Sequence, residues 1–318
     1  MLSTDHVVVV TGGGGGIGSA VARAYAAAGA AVVVNDYGVT VDGRDPGEGP
    51  AHKVAEEITA AGGRAVAHTS SVASYEAAGE LIELAIAEFG HVDSLVTAHG
   101  ILRERMVFNL TEQDWDEVVN VHLKGTFTCV RHASAHMRAR RTGSILTVTS
   151  TAGIEGNPAQ ANYAAAKAGI IGLARSTALA MGKYDVNVNA LAPAAATRMT
   201  DRLTARSAAT KKASDRGDAS LCGALAVALS APRMRHVTGQ VFTAAGRRLA
   251  RWSQPYEQVT AHRDRPWTAE EVAGSIEDEL GVAQLRRFGA LGLALPGDPA
   301  RHAASGAPSG DARTGGGQ

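Results

Sequence analysis

Short apolar runs alternate with longer segments of helical periodicity through most of the chain. The runs predict buried strands, because a strand covered on both faces does not alternate apolar and polar residues. They are Val7–Val10, Ala31–Asn35, Ala65–Thr69, Ser94–Ala98, Ser144–Thr149, Val186–Leu191 and Gln240–Thr243. The predicted helices are Ser19–Ala28, Val54–Ala61, Ala77–Phe89, a long helix from Thr111 to about Met137, Ala161–Leu179 and Leu221–Leu229. This alternation predicts an α/β fold, a doubly wound parallel β-sheet of the Rossmann type with helices on both faces.

The composition changes near residue 250. Residues 1–250 carry the alternating pattern and are expected to form a single domain. Thr268 and Glu271 form a capping-box pattern before a helix predicted over Ala269–Leu285, which places a helical extension over residues 251–290. Residues 291–318 are mainly Gly, Ala, Pro, Ser and Arg. Such a segment buries too little apolar surface to offset its ordering entropy, so we expect a disordered tail.

Charge and composition argue against several classes of partner. Lys and Arg number 31, as do Asp and Glu, so the formal net charge is zero and nothing attracts the chain to nucleic acid or to an anionic membrane. No apolar run approaches the ~20 residues that span a bilayer, and the N-terminus lacks the features of a secretory signal. Two cysteines, Cys129 and Cys222, cannot form a disulfide framework. We therefore expect a cytoplasmic protein without a metal site.

A glycine-rich loop separates the first predicted strand from the first helix. It runs Thr11-Gly12-Gly13-Gly14-Gly15-Gly16-Ile17-Gly18. Without Cβ atoms, such a loop lets a diphosphate approach the backbone and the positive end of the helix. Five glycines in a row also suit a flexible linker, but the position between a β-branched strand and an alanine-rich helix favours cofactor binding.

Asp36 ends the second predicted strand. A carboxylate at this place accepts hydrogen bonds from the ribose hydroxyls of adenosine and repels a 2′-phosphate. No arginine follows immediately, since Arg44 lies farther on in a glycine-rich loop. NAD is therefore favoured over NADP, and the alternative is an aspartate that only caps a turn.

Tyr163 and Lys167 are four residues apart in a predicted helix, so they share one face. A fixed ammonium nearby favours the phenolate, which predicts a lowered pKa for the Tyr163 phenol and a usable acid–base group. Ser150, at the end of a predicted strand, is placed to hydrogen-bond the same substrate oxygen. Each feature alone is common in proteins, but with a dinucleotide loop upstream they predict a catalytic site.

Taken together, these features resemble the short-chain dehydrogenase/reductase family. The matching positions cover roughly residues 5–247 and are Thr11, Gly12, Gly16, Gly18, Ser150, Tyr163, Lys167, Pro193 and Thr197. Several stretches are similar to one branch, the (3R)-hydroxyacyl-CoA dehydrogenase domain of peroxisomal multifunctional enzymes and its bacterial single-domain relatives. These stretches are Val34–Gly38, Gly100–Arg105, Val121–Gly125, Gly156–Tyr163 and Arg198–Thr200.

The resemblance implies hydride transfer between a hydroxyl-bearing carbon and C4 of a nicotinamide. It implies that Tyr163 takes or gives the hydroxyl proton, that Lys167 holds the nicotinamide ribose, and that Ser150 orients the substrate oxygen. The cofactor-binding positions expected from the glycine loop, Asp36 and this resemblance are Thr11, Gly12, Gly16, Ile17, Gly18, Asp36, Ser71, Val72, Gly100, Tyr163, Lys167, Pro193 and Thr197.

The resemblance also implies a lid and an assembly. Residues 201–218 are polar, small and charged, and lie where such folds carry a mobile substrate lid. The helix Ala161–Leu179 and the helix that starts near Thr111 resemble the family's subunit-contact pair, and a small-residue face permits close approach. We therefore expect a homodimer or homotetramer.

Three places depart from the family pattern. The usual Asn-Asn-Ala-Gly after the fourth strand is Thr97–Gly100 here, and His99 fits either a proton-relay group or a tolerated loop histidine. His122 stands where the family's catalytic tetrad has Asn, and fits either a group that orders water on a proton path to Lys167 or a buried structural histidine. Ser70-Ser71 replaces the Asp expected to bind adenine, which predicts a modest cofactor affinity.

Three hypotheses follow. The leading one is an NAD(H)-dependent oxidoreductase that acts on a secondary alcohol or ketone, with a 3-hydroxyacyl-CoA-type substrate. The second keeps the chemistry and replaces the substrate with a polyketide, steroid or other cyclic ketone. The third is a non-catalytic dinucleotide-binding protein, which the intact Ser150, Tyr163 and Lys167 disfavour.

Overall fold

A computed structural model describes residues 1–194, 219–281 and 285–291. Thr197, the 201–218 segment interpreted as a lid, and residues 292–318 of the predicted tail lie outside the described residues. The chain divides into two compact units, Met1–Pro255 and Tyr256–Gln318.

The first unit is built on an eight-stranded sheet. Its strands are β1 (Val7–Thr11), β2 (Ala31–Asn35), β3 (Arg64–His68), β4 (Ser94–Thr97), β5 (Gly143–Val148), β6 (Val186–Pro193), β7 (Val241–Ala245) and β8 (Arg248–Arg251). They lie in the order β3-β2-β1-β4-β5-β6-β7-β8. Strands β1 to β7 are parallel, and β8 pairs antiparallel with β7. The predicted parallel sheet is confirmed, and β8 is an edge strand that the apolar pattern did not indicate.

Helices cover both faces of this sheet, as predicted. They are α1 (Gly16–Ala27), α2 (Gly49–Ala60), α3 (Tyr75–Phe89), α4 (Glu112–Val119), α5 (Gly125–Arg140), α6 (Ala152–Glu155), α7 (Ala161–Met181) and α8 (Ser220–Ser230). In β1, Val7 and Val9 join the core cluster that contains residues of α3, α5 and α7, while Val8 and Val10 join the cluster that contains residues of α1, α2 and α8. All four valines are fully buried. A strand with two covered faces is therefore apolar throughout.

The predicted helix from Thr111 to about Met137 is present as an unbroken helical segment over residues 112–140. The Thr111 hydroxyl accepts a hydrogen bond from the Asp114 backbone N–H at 3.1 Å and caps α4 at the predicted start of the helix. Between α4 and α5, however, residues Asn120–Lys124 form a π-helical turn. The predicted long helix is therefore confirmed, and it contains one wider turn that the sequence did not indicate. Such turns occur frequently at functional sites.

The strand order places a crevice at the carboxyl ends of β1 and β4. Strand β1 pairs with β2 on one side and β4 on the other, so the connections leave β1 in opposite directions. Ligands of open α/β sheets bind at this topological switch point. The glycine loop follows β1 directly, so the fold places it in the crevice.

The described residues of the second unit include two short helices, α9 (Ala269–Ser275) and α10 (Arg286–Ala290). The predicted capping box is present, because Thr268 and Glu271 each accept a hydrogen bond from the other's backbone N–H. A π-helical turn extends α9 to Leu280, and Gly281 then takes a φ of 67°. The helix predicted to reach Leu285 therefore ends earlier. Among the described helices, none has the length and apolar character that crossing a bilayer requires.

Candidate active site

The glycine loop forms a backbone cradle into which side chains do not fit. Gly12 has a φ of 65°, and a Cβ there would lie 2.6 Å from the His99 backbone nitrogen. A Cβ on Gly14 would lie 2.5 Å from Cβ of Pro50 and 2.9 Å from a carboxylate oxygen of Asp36. Helix α1 starts here without a side-chain cap and without an acidic residue in its first turn. Free N–H groups at a helix start attract an anion, so the cradle fits a dinucleotide diphosphate.

Asp36 lies directly after β2, at the rim of this cradle. Its carboxylate accepts hydrogen bonds from the backbone N–H groups of Gly14 at 2.9 Å and Gly38 at 2.8 Å. The structure thus shows that Asp36 connects the glycine loop to the loop after β2. Because a carboxylate has about four acceptor sites, two bonds leave capacity for ribose hydroxyls.

The other predicted cofactor positions lie at the carboxyl ends of further parallel strands. Ser71 and Val72 follow β3. The Ser71 hydroxyl accepts from the Ala73 N–H at 3.4 Å, and the Val72 carbonyl accepts from the Thr128 hydroxyl at 2.6 Å. Pro193 is the last residue of β6.

The predicted catalytic side chains converge at the carboxyl end of β5. Lys167 is 3% exposed, and its Nζ donates to the Val148 carbonyl at 2.7 Å. The same Nζ lies 5.7 Å from the ring centroid of Tyr163. Ser150 follows β5, and its hydroxyl lies near enough to the Tyr163 phenol to favour a lower pKa of that phenol. The strand end and the first turns of α7 therefore bring all three residues together.

Burial determines the protonation of this pair. Loss of solvation lowers the pKa of Lys167 to about 7. Burial raises the pKa of Tyr163, the nearby Ser150 hydroxyl opposes that change, and the charge of Glu104 adds to it. The expected lowering of the Tyr163 pKa by a neighbouring ammonium is therefore wrong for this structure. An amine that is itself easily neutralised does not outweigh desolvation of the phenol.

His122 lies in the π-helical turn and is 1% exposed. Its ring meets the Tyr163 ring edge to face, with centroids 5.1 Å apart and planes at 85°. Its Nε2 lies 2.7 Å from the Ile101 carbonyl oxygen, and burial keeps its pKa well below the usual range. Nδ1 of His122 has no hydrogen-bond partner among the described residues. The structure therefore places His122 as a neutral ring against the phenol.

His99 connects strand β4 to the start of the glycine loop. Its Nδ1 lies 2.6 Å from the Thr11 hydroxyl oxygen. Burial, with the nearby Lys167, lowers its pKa to about 3. Like His122, it has a ring nitrogen, Nε2, that finds no partner within the described part of the chain. His99 is therefore neutral at ordinary pH.

Two further residues near this site, Glu104 and Asn162, have no role that their sequence positions predicted. Glu104 raises the pKa of Tyr163 and accepts a hydrogen bond from the Gln160 amide at 2.5 Å. Asn162, next to Tyr163, is fully buried. Both lie in stretches that carry the family resemblance, but only the tertiary structure shows what their side chains contact.

A cavity of about 710 Å³ adjoins these residues. Charged groups from the loop after β2, the loop after β4 and helix α4 line it, among them Arg103, Glu104, Arg105 and Asp114. Glu104 links this cavity to the predicted site, because it lines the cavity and its charge raises the pKa of Tyr163.

Comparison with known proteins defines the class. The family model described as short chain dehydrogenase matches residues 6–208. The chain therefore belongs to the short-chain dehydrogenase/reductase family, and it is an oxidoreductase that acts on CH–OH groups. The site described above fits the nicotinamide dinucleotides that this family binds.

Particular relatives refine the comparison. Hydroxyacyl-CoA dehydrogenase ChsB1 of Mycobacterium tuberculosis is 35% identical over 286 residues, which cover 86% of this chain and 87% of that protein. Peroxisomal multifunctional enzyme type 2 of Mus musculus is 45% identical over 195 residues, 61% of this chain but only 26% of that protein. The crystal structure of a short chain dehydrogenase from Mycobacterium avium is 39% identical, with a TM-score of 0.78, and covers 89% of this chain and 97% of that one. The predicted resemblance and the Rossmann-type fold are confirmed.

Proposed function

We propose that this chain is an NAD(H)-dependent dehydrogenase of 3-hydroxyacyl-CoA-type substrates in which Tyr163, Lys167 and Ser150 are the catalytic residues. One observation carries the proposal. A phenol, an amine and a hydroxyl converge at the end of β5, on the sheet edge where the glycine cradle follows β1.

The protein residues supply proton transfer and orientation. When bound, the dinucleotide supplies the carbon that accepts or gives the hydride. In ketone reduction, the neutral phenol of Tyr163 donates its proton to the substrate oxygen, and in alcohol oxidation the phenolate oxygen takes that proton back. The Ser150 hydroxyl orients the substrate oxygen beside the phenol. Lys167 is anchored by the Val148 carbonyl, which leaves N–H donors for a cofactor ribose.

We further propose NAD over NADP. The Asp36 carboxylate is held at the rim of the cradle by Gly14 and Gly38. A 2′-phosphate there would meet a fixed negative charge, whereas ribose hydroxyls would find an acceptor. The Ser71 hydroxyl is a weaker acceptor for the adenine amino group than an aspartate carboxylate would be, which supports a modest affinity.

Two observations support an acyl-CoA thioester as substrate. A relative that covers most of the chain is named a hydroxyacyl-CoA dehydrogenase. The cavity of about 710 Å³ beside Glu104 is polar and large enough for part of a bulky substrate. Initial rates with a chain-length series of (3R)- and (3S)-hydroxyacyl-CoA, with NAD and with NADP, test this assignment. Turnover of free or cyclic ketones alone would contradict it.

We propose a homo-oligomer as the working form, with α4, α5 and α7 as the contact surface. Large apolar side chains are exposed on these helices, with Trp115 40%, Phe127 44% and Leu179 86% exposed. A second copy would remove them from water. Light scattering that shows a monomer at micromolar concentration would contradict this. The cytoplasmic location stays a prediction.

Replacement of Tyr163 by Phe tests the catalytic assignment. The variant keeps the ring against His122 and removes the proton, so we expect kcat to fall by about 10²–10⁴-fold while dinucleotide affinity stays close to that of the wild type. Tyr184→Phe is the matched control, because that ring lies beside Lys183, away from the sheet ends that form the site. Retained turnover in Tyr163→Phe would exclude Tyr163 as the proton donor.

A further inference from the structure

Asn162 is a fully buried amide in the first turn of α7. It directly precedes Tyr163, and its side chain points away from solvent into the junction between α7, α4 and the loop after β4. A buried amide carries two donors and an acceptor that need partners. The identity of these partners therefore shows what the residue holds together.

All three hydrogen-bonding requirements of Asn162 are met by backbone groups. Its Nδ2 donates to the Arg103 carbonyl at 3.1 Å and to the Asp114 carbonyl at 2.9 Å. Its Oδ1 accepts from the Tyr163 backbone N–H at 2.8 Å. One side chain thus ties the residue that carries the phenol to two other segments of the chain. The opposite amide orientation would face Nδ2 toward an N–H group, so the network fixes the orientation.

Ion pairs between charged side chains also stabilise this junction. The side chains of Arg103 and Asp114, whose carbonyls bind Asn162, approach to 3.9 Å. Arg105 binds Asp114 at 2.8 Å and also donates its backbone N–H to the Ala159 carbonyl at 2.9 Å. The loop after β4, the start of α4 and the start of α7 therefore form one cross-linked unit with Asn162 at its centre.

We infer that Asn162 is a positioning residue for the catalytic phenol. The inference rests on the proposed role of Tyr163. Gln160, at the N-cap of α7, makes no side-chain cap. The hydrogen bonds of the Asn162 amide therefore restrain the first turn of α7 in place of a capping side chain. Proton transfer requires the phenol oxygen at hydrogen-bond distance from the substrate oxygen, and a displacement of about 1 Å costs up to about 100-fold in rate. Loss of Asn162 frees the backbone on which Tyr163 stands while leaving the glycine cradle untouched.

The test compares Asn162→Ala with Asn189→Ala. Asn189 in β6 is a matched control, since it is also buried, donates to the Val237 carbonyl at 2.7 Å and accepts from the Gln240 N–H at 3.0 Å. We expect both variants to lose thermal stability. Only Asn162→Ala should lose kcat, by at least about 10-fold, while KM for substrate and dinucleotide affinity by fluorescence titration change less than about 2-fold.

Equal kcat in the two variants would overturn the inference, as would a loss confined to KM or to dinucleotide affinity. If Asn162→Ala does not fold, Asn162→Asp replaces it, because it keeps the volume and the acceptor for the Tyr163 N–H but removes both donors. The same loss of kcat with unchanged KM is then expected. Tyr163→Phe separates the two proposals: its loss of activity together with full kcat in the Asn162 variants rejects only the positioning role, whereas its retained activity rejects the proposed function.

Discussion

The ring of His122 packs directly against the backbone of Gly100, and the space it fills is available only because residue 100 has no side chain. A Cβ on Gly100 would overlap Cε1 of the His122 ring and lie 2.8 Å from its Nδ1. The ring occupies this space because its Nε2 lies against the backbone of Ile101, the next residue. Glycine at 100 is therefore a requirement of the histidine at 122, and His122 in turn packs against the phenol.

Gly100→Ala is expected to displace the His122 ring. Overpacking of this kind lowers the free energy of unfolding by about 1–3 kcal/mol, and kcat should fall because the ring that supports Tyr163 moves. Gly274→Ala in α9 is the control, since a Cβ there meets nothing within 4 Å, and alanine should raise helix stability by about 0.5–1 kcal/mol. Denaturant unfolding and turnover of both variants check this. Unchanged stability and turnover in Gly100→Ala would show that the ring can move freely.

Lys167→Met is expected to stabilise the protein without cofactor and to abolish turnover. Burial lowers the Lys167 pKa to about 7, against about 10.4 in an unfolded chain. The unfolded state therefore binds the proton more tightly, and burial of the charged amine lowers the free energy of unfolding. This cost is complete below pH 7 and fades as the pH rises to 10. Because the variant also loses the hydrogen bond to the Val148 carbonyl, we expect its free energy of unfolding at pH 6 to exceed that of the wild type by only about 1–3 kcal/mol.

The same comparison at pH 10 should show a smaller gain. Unfolding by denaturant at the two pH values measures it. Lys183→Met, at an exposed position, should change stability by less than about 0.5 kcal/mol at either pH. A gain in Lys167→Met that does not depend on pH would contradict the lowered pKa.

Asp36→Ala is expected to change cofactor preference. Removal of the carboxylate takes away an acceptor for ribose hydroxyls and the negative charge that faces a 2′-phosphate. The ratio of kcat/KM for NAD over NADP should fall at least about 10-fold, the equivalent of one charged hydrogen bond. Asp5→Ala, at an exposed position near the N-terminus, should leave the ratio unchanged. A preserved ratio in Asp36→Ala would place the discrimination elsewhere.

Acid is expected to destabilise the fold below pH 6.5. Burial lowers the pKa of five histidines: His6, His68, His99, His122 and His136. In the unfolded chain these groups take up protons near pH 6.5, whereas the folded state resists, so stability falls as the pH drops through this range. His6→Gln should reduce the slope of the free energy of unfolding against pH by up to about 1.4 kcal/mol per pH unit. His262→Gln, at an exposed position, should leave this slope unchanged. Equal slopes in the two variants would contradict this.

The sequence predicted the central strands well, because strands buried on both faces are apolar throughout. Strand β2 has the predicted bounds, Ala31–Asn35. The edge strand β8 has the sequence Arg248-Leu249-Ala250-Arg251, which has no such signal. It forms because the chain turns back after β7, and this contact is not encoded in any local periodicity.

The candidate site was predictable where chemistry follows from spacing. Tyr163 and Lys167 share a helix face because they are four residues apart. The direction of the Tyr163 pKa was not predictable, since it depends on how much solvent the assembled core removes. The contacts of Gly100 with His122 and of Asn162 with Arg103 and Asp114 join distant parts of the chain, so no local pattern reveals them.

The π-helical turn at Asn120–Lys124 makes the site sensitive to chain length as well as to residue identity. A regular α-helix rotates by about 100° per residue, so the wider turn shifts the angular phase of everything that follows it. His122 faces inward within that turn, and α5 then presents Cys129 and Ala133 to the core. A π-turn holds about one residue more than an α-turn, so deletion of one residue here would leave a regular helix with α4 and α5 near their present phase. The imidazole of His122 would then lose its place against Tyr163, whereas an insertion would rotate the core face of α5.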